Sequence, residues 1–276
     1  MPTVPAPIAF DPSPIRTVLC DLDGVVWLDH RPIPGAVEAI ASLRAGGRRV
    51  LFVTNNSAAR VSDHEAALAA IGVTAVGDVV SSAMAAARLV ASGERVLVTG
   101  GPGIVEAIEL RGAIAVLNDG TVTAEPFDAV VVGLDRTFDY PRLRAAATAL
   151  HDGARLVGTN TDSTYPTPSG LDPGGGAILA AIATAGETTP EVAGKPNAPM
   201  AALLAATLST TTGFDPTSVV MVGDRPETDG LMAARLGSPF ALVRSGVTAP
   251  GDIAPDIPTA IDVADLAALA GVLGAR

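Results

Sequence analysis

Two aspartates one residue apart, Asp21 and Asp23, stand where an apolar run at residues 18–20 meets a turn marked by Gly24. Carboxylates this close repel each other when both are ionised. A hard cation such as Mg²⁺, which takes oxygen ligands, would neutralise that repulsion. One carboxylate could then act as a nucleophile and the other as a general acid or base. A solvated turn after a strand is the plainer interpretation of this motif alone.

Two further segments carry polar residues that suit a phosphate. Thr54, Asn55 and Asn56 follow an apolar run at residues 50–53, where a hydroxyl, side-chain amides and free backbone N–H groups could cradle an anion. Lys195 lies in a proline-flanked segment that predicts a loop, and a fixed ammonium there could neutralise phosphate charge. Taken singly, these are an asparagine-rich turn and a solvated charge.

A fourth segment adds two more carboxylates. Asp224 follows an apolar run at residues 219–222, and Asp229 lies five residues further along, at the predicted start of a helix. Asp224 is a candidate metal ligand at a strand end. Asp229 could hold the metal's surroundings or simply cap the helix.

Apolar runs and helix-like stretches alternate along the chain, with glycine-rich turns between them. This repetition is typical of βαβ units, so we predict a doubly wound, parallel α/β fold. The predicted strands include residues 18–20, 50–53, 95–98, 129–133, 155–158 and 219–222.

Composition narrows the classes of protein. The 276 residues are 48% apolar and carry a net charge of −11, which argues against a nucleic-acid partner or an anionic membrane surface. The single cysteine, Cys20, excludes an internal disulfide, and no apolar run is long enough to cross a bilayer. We expect a cytoplasmic protein whose proline-rich residues 1–15 form a disordered leader.

Together, the four segments resemble the haloacid dehalogenase superfamily, and more closely its class IIA phosphatases, which include p-nitrophenylphosphatase and phosphoglycolate phosphatase. Residues 127–135, 158–162 and 173–178 contribute to the class-level match. The resemblance implies a Rossmann-like core at residues 16–82 and 191–276. It also implies an inserted α/β cap at residues 83–190.

The resemblance also implies roles for the acidic residues. Asp21 would be the nucleophile that forms an aspartyl phosphate, and Asp23 would be the general acid and base. Mg²⁺ would be held by Asp21, by the backbone carbonyl of Asp23 and by Asp224. Asp229 would act on the metal through water.

The remaining carried-over roles concern the substrate. Thr54, Asn55 and Asn56 match the family's phosphate-binding loop, and Lys195 matches its third motif. Tyr165 falls in a cap loop that faces the leaving group in this class, although a tyrosine packed within the loop is an equal interpretation.

Other polar residues are weaker candidates. Arg60 and Arg136 are more typical of surface charges. The three histidines, His30, His64 and His151, show no metal-ligand spacing.

The function implied is an Mg²⁺-dependent phosphomonoester hydrolase acting on a small phosphorylated metabolite. The few aromatic residues of the cap give no clear platform for a base, which favours glycerol phosphate, phosphoglycolate or another sugar or polyol phosphate. A nucleoside monophosphate and pyridoxal phosphate stay as alternatives. A catalytically silent phospho-ligand-binding protein is the alternative of a different class, although loss of Asp21, Asp23 or Lys195 would then be expected. A homodimer is a further expectation of the class.

Overall fold

The computed structural model describes residues 10–167, 170–209, 213–252 and 257–274. Residues 1–9 of the predicted leader lie outside the described residues. Within the rest of that leader, Ile15 is buried and Phe10 packs against the same apolar cluster.

Strands and short helices alternate, as the sequence predicts. The strands are β1 (Thr17–Cys20), β2 (Trp27–Leu28), β3 (Arg31–Pro32), β4 (Arg49–Thr54), β5 (Val79–Ser81), β6 (Arg95–Thr99), β7 (Ile114–Leu117), β8 (Ala129–Val132), β9 (Arg155–Gly158), β10 (Thr164–Thr167), β11 (Gly170–Pro173), β12 (Glu191–Val192), β13 (Val219–Gly223), β14 (Phe240–Val243) and β15 (Ile261–Val263). The helices are α1 (Ala36–Ala45), α2 (Val61–Ala70), α3 (Ser82–Ala87), α4 (Pro102–Glu109), α5 (Tyr140–His151), α6 (Gly175–Ala185), α7 (Ala198–Leu208), α8 (Leu231–Leu236) and α9 (Leu266–Val272).

The larger sheet is parallel and has the strand order β15-β14-β13-β1-β4-β5. Its central strands are almost wholly apolar because helices cover both faces of such a sheet. Cys20 pairs in register with Phe52 on one side and with Val222 on the other. The polar residues that follow these three strands therefore meet at one edge of the sheet.

A second parallel sheet has the order β12-β9-β8-β6-β7, and β10 and β11 form a separate antiparallel hairpin. The chain leaves the larger sheet after β5 and re-enters it at β13. The predicted parallel α/β fold is confirmed. The predicted division at residues 83 and 191 stays a prediction, and β12, which it assigns to the core, pairs with β9 of the second sheet.

One apolar cluster spans both sheets. Leu51 and Val53 of β4 belong to it, together with Val96 and Val98 of β6 and buried alanines of α3. Close packing of this kind gives the two sheets a defined relative position, so groups at their facing edges can share one site. Among the described residues, no helix is long and apolar enough to cross a membrane.

Candidate active site

Asp21 and Asp23 lie at the carboxyl end of β1, in the middle of the larger sheet. The buried Asp21 donates its backbone N–H to the carbonyl of Val222 at 3.0 Å, which ties it to β13. Asp23 opens onto a cavity, and its Oδ1 accepts a hydrogen bond from the indole Nε1 of Trp27 at 3.0 Å. The turn passes through Gly24, whose φ of 83° favours glycine.

Three buried carboxylates converge beside this turn. One oxygen from each of Asp21, Asp224 and Asp229 lies within 4.8 Å of the others. The Oδ1 atom of Asp224 is buried and has no hydrogen-bond partner among the described residues. An unpaired buried carboxylate oxygen is costly unless a cation binds it. The donor set is all oxygen, which fits Mg²⁺.

Two glycines leave the room that Asp224 occupies. A Cβ added to Gly24 would lie 2.3 Å from Asp224 Oδ2, and one added to Gly246 would lie 2.0 Å from the same oxygen. The backbone N–H of Val247 donates to that oxygen at 2.6 Å. Sequence reasoning missed this loop, although a glycine soon after β14 was the signal that could have revealed it.

Lys195 links the acids to the neighbouring strand. Its Nζ lies 2.8 Å from Asp21 Oδ1, and it donates to Asp229 Oδ1 at 2.8 Å and to the carbonyl of Val53 at 3.0 Å. Burial opposes the charge on this ammonium, but the carboxylates of Asp21 and Asp229 outweigh burial and raise the pKa of Lys195 above its usual range. The lysine is therefore a permanent cation, and it lies in the predicted loop, between β12 and α7.

Three carboxylic acids of the site hold their protons more tightly than usual. Asp23 is exposed to the cavity, but the protein that surrounds it limits its hydration and, with a contribution from the charge of Asp21, raises its pKa to about 6. Burial, again with a contribution from Asp21, raises the pKa of Asp224 to about 6. Burial also raises the pKa of Asp229 to about 7, although the ammonium of Lys195 opposes this shift. Carboxyl groups with these pKa values can exchange protons near neutral pH.

The predicted phosphate loop follows β4 and is held by its own side chains. Thr54 Oγ1 accepts from the backbone N–H of Asn56 at 3.0 Å, and Asn56 Oδ1 accepts from that of Ala58 at 3.0 Å. Asn55 Oδ1 accepts from the backbone N–H of Lys195 at 2.9 Å. The loop and the lysine are thereby fixed to each other.

Asn55 also joins the larger sheet to the loop after β9. Its backbone carbonyl accepts from Asn160 Nδ2 at 2.8 Å, and its own Nδ2 donates to Asp162 Oδ2 at 3.2 Å. Burial raises the pKa of Asp162. Sequence reasoning did not propose a role for Asn160 or Asp162, because their partner lies more than a hundred residues away in the chain.

A cavity of about 160 Å³ lies over the carboxylates, with walls from both sheets. The sequence-predicted site residues that line it are Asp21, Asp23, Thr54, Asn55, Asn56, Tyr165, Lys195 and Asp224. Asp229 is wholly buried behind them. Since all of them gather around one cavity, the predicted set has the geometry of a single site.

The residues that the sequence marked as weaker candidates differ in where they lie relative to the cavity. Arg60 is exposed at the start of α2 and is not among the residues that line the cavity. Arg136 is exposed, yet it does line the cavity, and its guanidinium carbon lies 5.6 Å from the ring centroid of Tyr165. The hydroxyl of Tyr165 donates to Asp172 Oδ2 at 3.5 Å. Two histidines, His30 and His64, also line the cavity without having been predicted to.

The sequence of this chain is similar to those of known hydrolases. A family profile described as haloacid dehalogenase-like hydrolase matches residues 18–113, and a second HAD hydrolase-like profile matches residues 192–269. The chain is 39% identical over 240 residues to D-glycerol 3-phosphate phosphatase of Mycobacterium tuberculosis, which covers 85% of this chain and 64% of that protein. It is 36% identical over 244 residues to chronophin of Mus musculus, covering 84% of this chain and 81% of that protein.

The fold is also similar to that of a solved structure. Glycerol phosphate phosphatase from Mycobacterium tuberculosis, solved in complex with magnesium, superposes with a TM-score of 0.76 at 36% identity, covering 86% of this chain and 69% of that chain. The fold, the site and these matches define a hydrolase of the haloacid dehalogenase type. The chain belongs to the haloacid dehalogenase-like hydrolase family, and within it to the phosphatases.

Proposed function

We propose that this chain hydrolyses phosphomonoesters of small metabolites with Mg²⁺ as cofactor. The observation that carries the proposal is the position of Asp21. Its carboxylate contacts the ammonium of Lys195 and lies beside Asp224, at the foot of a cavity rimmed by Asn55 and Asn56. A phosphate group there meets a nucleophile, a cation and neutral hydrogen-bond donors.

The first step is attack by a carboxylate oxygen of Asp21 on phosphorus. The bond from phosphorus to the ester oxygen breaks, and Asp23 gives its proton to the departing alkoxide. The raised pKa of Asp23, about 6, keeps part of the population protonated near neutral pH. Lys195 limits the movement of the attacking carboxylate because it holds one of its oxygens at 2.8 Å.

The second step releases phosphate. Asp23, now ionised, takes a proton from a water molecule, whose oxygen attacks the phosphorus of the aspartyl phosphate. The acyl phosphate bond breaks, Asp21 regains its carboxylate, and the proton taken by Asp23 restores the acid for the next cycle.

The residues that would hold Mg²⁺ are Asp21, the backbone carbonyl of Asp23 and Asp224, with Asp229 acting through water. The unpaired Asp224 Oδ1 and the all-oxygen donor set fit this ion. When bound, Mg²⁺ neutralises the negative charge that the phosphoryl group brings next to the carboxylates.

We propose a small polyol or sugar phosphate as the substrate. The cavity is small and rimmed by polar groups such as Asn160, Asp162 and Tyr165, which suit hydroxyl groups. The similarity to D-glycerol 3-phosphate phosphatase supports this choice. A 5'-nucleotidase of Bacillus subtilis is also 32% identical over 234 residues, so nucleoside monophosphates stay the second candidate, and pyridoxal phosphate a third.

Three further proposals concern the whole chain. Residues 83–190 act as a cap that selects the substrate, which is supported by the cavity walls contributed from residues 134–175. The protein forms a homodimer, as the class it resembles suggests. It works in the cytoplasm, which its single cysteine favours.

The proposal is tested by phosphate release from the purified protein. A panel would contain glycerol 3-phosphate, phosphoglycolate, a sugar phosphate, a nucleoside monophosphate, pyridoxal phosphate and p-nitrophenyl phosphate, each with Mg²⁺ and with EDTA. We expect turnover that needs Mg²⁺ and is fastest for a polyol or sugar phosphate. No release from any ester by folded, Mg²⁺-loaded protein would favour the silent phospho-ligand-binding protein instead.

A further inference from the structure

His64 is a buried polar side chain in the wall of the candidate active site. It lies in the first turns of α2, it is 2% exposed, and neither ring nitrogen has a hydrogen-bond partner among the described residues. The backbone of Asn56 is near enough to favour a charged ring, but it does not meet hydrogen-bond geometry. Buried polar groups are nearly always paired, and an unpaired one destabilises the fold.

His64 is among the residues that line the cavity of Asp21 and Asp23. It therefore lies beside the space that the substrate would fill, but both of its ring nitrogens are buried, so a ligand atom would reach one of them only after the ring turns toward the cavity. A hydrogen bond that the folded chain does not supply can come from a ligand in this cavity.

Two more residues lie on the same wall. Asp29 and His30 are the two residues of the hairpin turn between β2 and β3, and their φ values of 50° and 60° are usual at both positions of such a turn. Both line the cavity, and the ring of His30 packs against Trp27 at 4.9 Å between centroids.

Burial lowers the pKa of His64, so its imidazole is neutral at physiological pH. A neutral imidazole offers one N–H donor and one acceptor nitrogen. A hydroxyl group can satisfy either nitrogen because it both donates and accepts. A carboxylate could use only the donor and would gain no charge pairing from the ring.

We propose that His64 determines substrate specificity by forming a hydrogen bond with a hydroxyl group of the leaving alcohol. The enzyme would therefore prefer phosphorylated polyols to alkyl phosphates of the same size. This inference rests on the proposed function and adds to it the side chain that recognises the leaving alcohol.

The test uses two esters that differ only in hydroxyl groups, glycerol 3-phosphate and propyl phosphate. Their kcat/KM values are measured for the wild-type enzyme and for His64→Phe, which keeps a flat ring but has no polar atom. His151→Phe is the matched control, because His151 is exposed on α5 and does not line the cavity.

We expect the wild-type enzyme to prefer glycerol 3-phosphate, and His64→Phe to lower that preference about tenfold, the value of one hydrogen bond to a buried partner. The loss should fall on glycerol 3-phosphate, with propyl phosphate nearly unchanged. The control should keep the wild-type preference. His64→Leu provides the same comparison with a smaller side chain if the phenyl ring prevents folding.

The two proposals fail in different ways. An unchanged preference in a folded, active His64 variant, or an equal loss for both esters, would overturn the role of His64 alone. A wild-type enzyme that prefers propyl phosphate would do the same. Absence of hydrolysis of either ester by the wild-type protein would overturn the proposed function, and this inference with it.

Discussion

At the scale of single residues, the site concentrates negative charge around one buried ammonium. Lys195 contacts both Asp21 and Asp229, while one oxygen of Asp224 has no hydrogen-bond partner in the described part of the chain. Two carboxylates are therefore balanced by the chain itself, and a third is left for a cation. This division explains how one cluster can hold a nucleophile and a metal site side by side.

Asp21→Asn removes the nucleophile and preserves the shape of the side chain. We expect phosphate release to fall at least about a thousandfold, because an amide cannot form the acyl phosphate. Circular dichroism and the melting temperature should show a folded protein. Activity within tenfold of the wild type would exclude Asp21 as the nucleophile.

Asp23→Asn removes the proton donor. The loss should be larger for glycerol 3-phosphate, a poor leaving group, than for p-nitrophenyl phosphate, whose leaving group departs without a proton. Equal losses for the two esters would argue against this role.

The same residue predicts a pH dependence. Because the acid form of Asp23 is required and its pKa in the free enzyme is about 6, kcat/KM for alkyl phosphates should fall as the pH rises above that value. The fall should be weaker for p-nitrophenyl phosphate. Rate profiles from pH 5 to 9 for both esters measure it, and a steeper fall for the aryl ester would contradict the assignment.

At the scale of elements, strand ends and glycine turns build the site. β1 and β13 bring Asp21 and Asp224 together through their parallel register, and the loop after β14 closes over Asp224. The approach is so close that Gly246 has no room for a side chain.

Gly246→Ala should therefore disturb the metal site. Its methyl group would lie 2.0 Å from Asp224 Oδ2, so that the carboxylate or the loop must move. We expect the Mg²⁺ concentration for half-maximal activity to rise at least about tenfold, the effect of a perturbed ligand environment. Gly271→Ala in α9 meets nothing within 4 Å and should leave the Mg²⁺ requirement unchanged. An unchanged requirement in Gly246→Ala would contradict this account of the site.

The sequence was sufficient to predict most of the strands that position the site. It did not predict contacts between residues that are far apart in the chain. Apolar runs ending in polar residues were sufficient to predict β1, β4 and β13 and the edge they share. The bond from Val247 to Asp224 and those from Asn55 to Asn160 could not be predicted, since they join residues whose contact arises only when loops and sheets pack. A local sequence pattern does not indicate which distant residue a side chain will contact.

At the scale of the whole molecule, the buried carboxylates of the site destabilise the metal-free folded protein, and a bound cation removes this cost. Folding buries Asp224 and Asp229 and raises their pKa values to about 6 and about 7, from an ordinary value of 3.8. The folded state therefore binds protons more tightly than the unfolded state over this range. Without metal, the contribution of these two carboxyl groups to stability is present in full below about pH 3.8 and is lost as the pH rises through about 6 and 7.

Mg²⁺ should consequently stabilise the protein more at pH 8 than at pH 5. At pH 8 the carboxylates are ionised and ready to bind the cation, whereas at pH 5 protons compete for them. Melting temperatures with and without Mg²⁺ at the two pH values measure the difference. A larger Mg²⁺-induced rise at pH 5 would contradict the proposed metal ligands.

The central claim is that Asp21 carries the phosphoryl group during turnover. The most direct measurement is an acid quench of the enzyme while it hydrolyses glycerol 3-phosphate with Mg²⁺, followed by peptide mass analysis. We predict one added phosphoryl group on Asp21, absent with EDTA and absent in Asp21→Asn. Mg²⁺-dependent turnover with no phosphoryl group on Asp21, or with the group on another residue, would contradict the account.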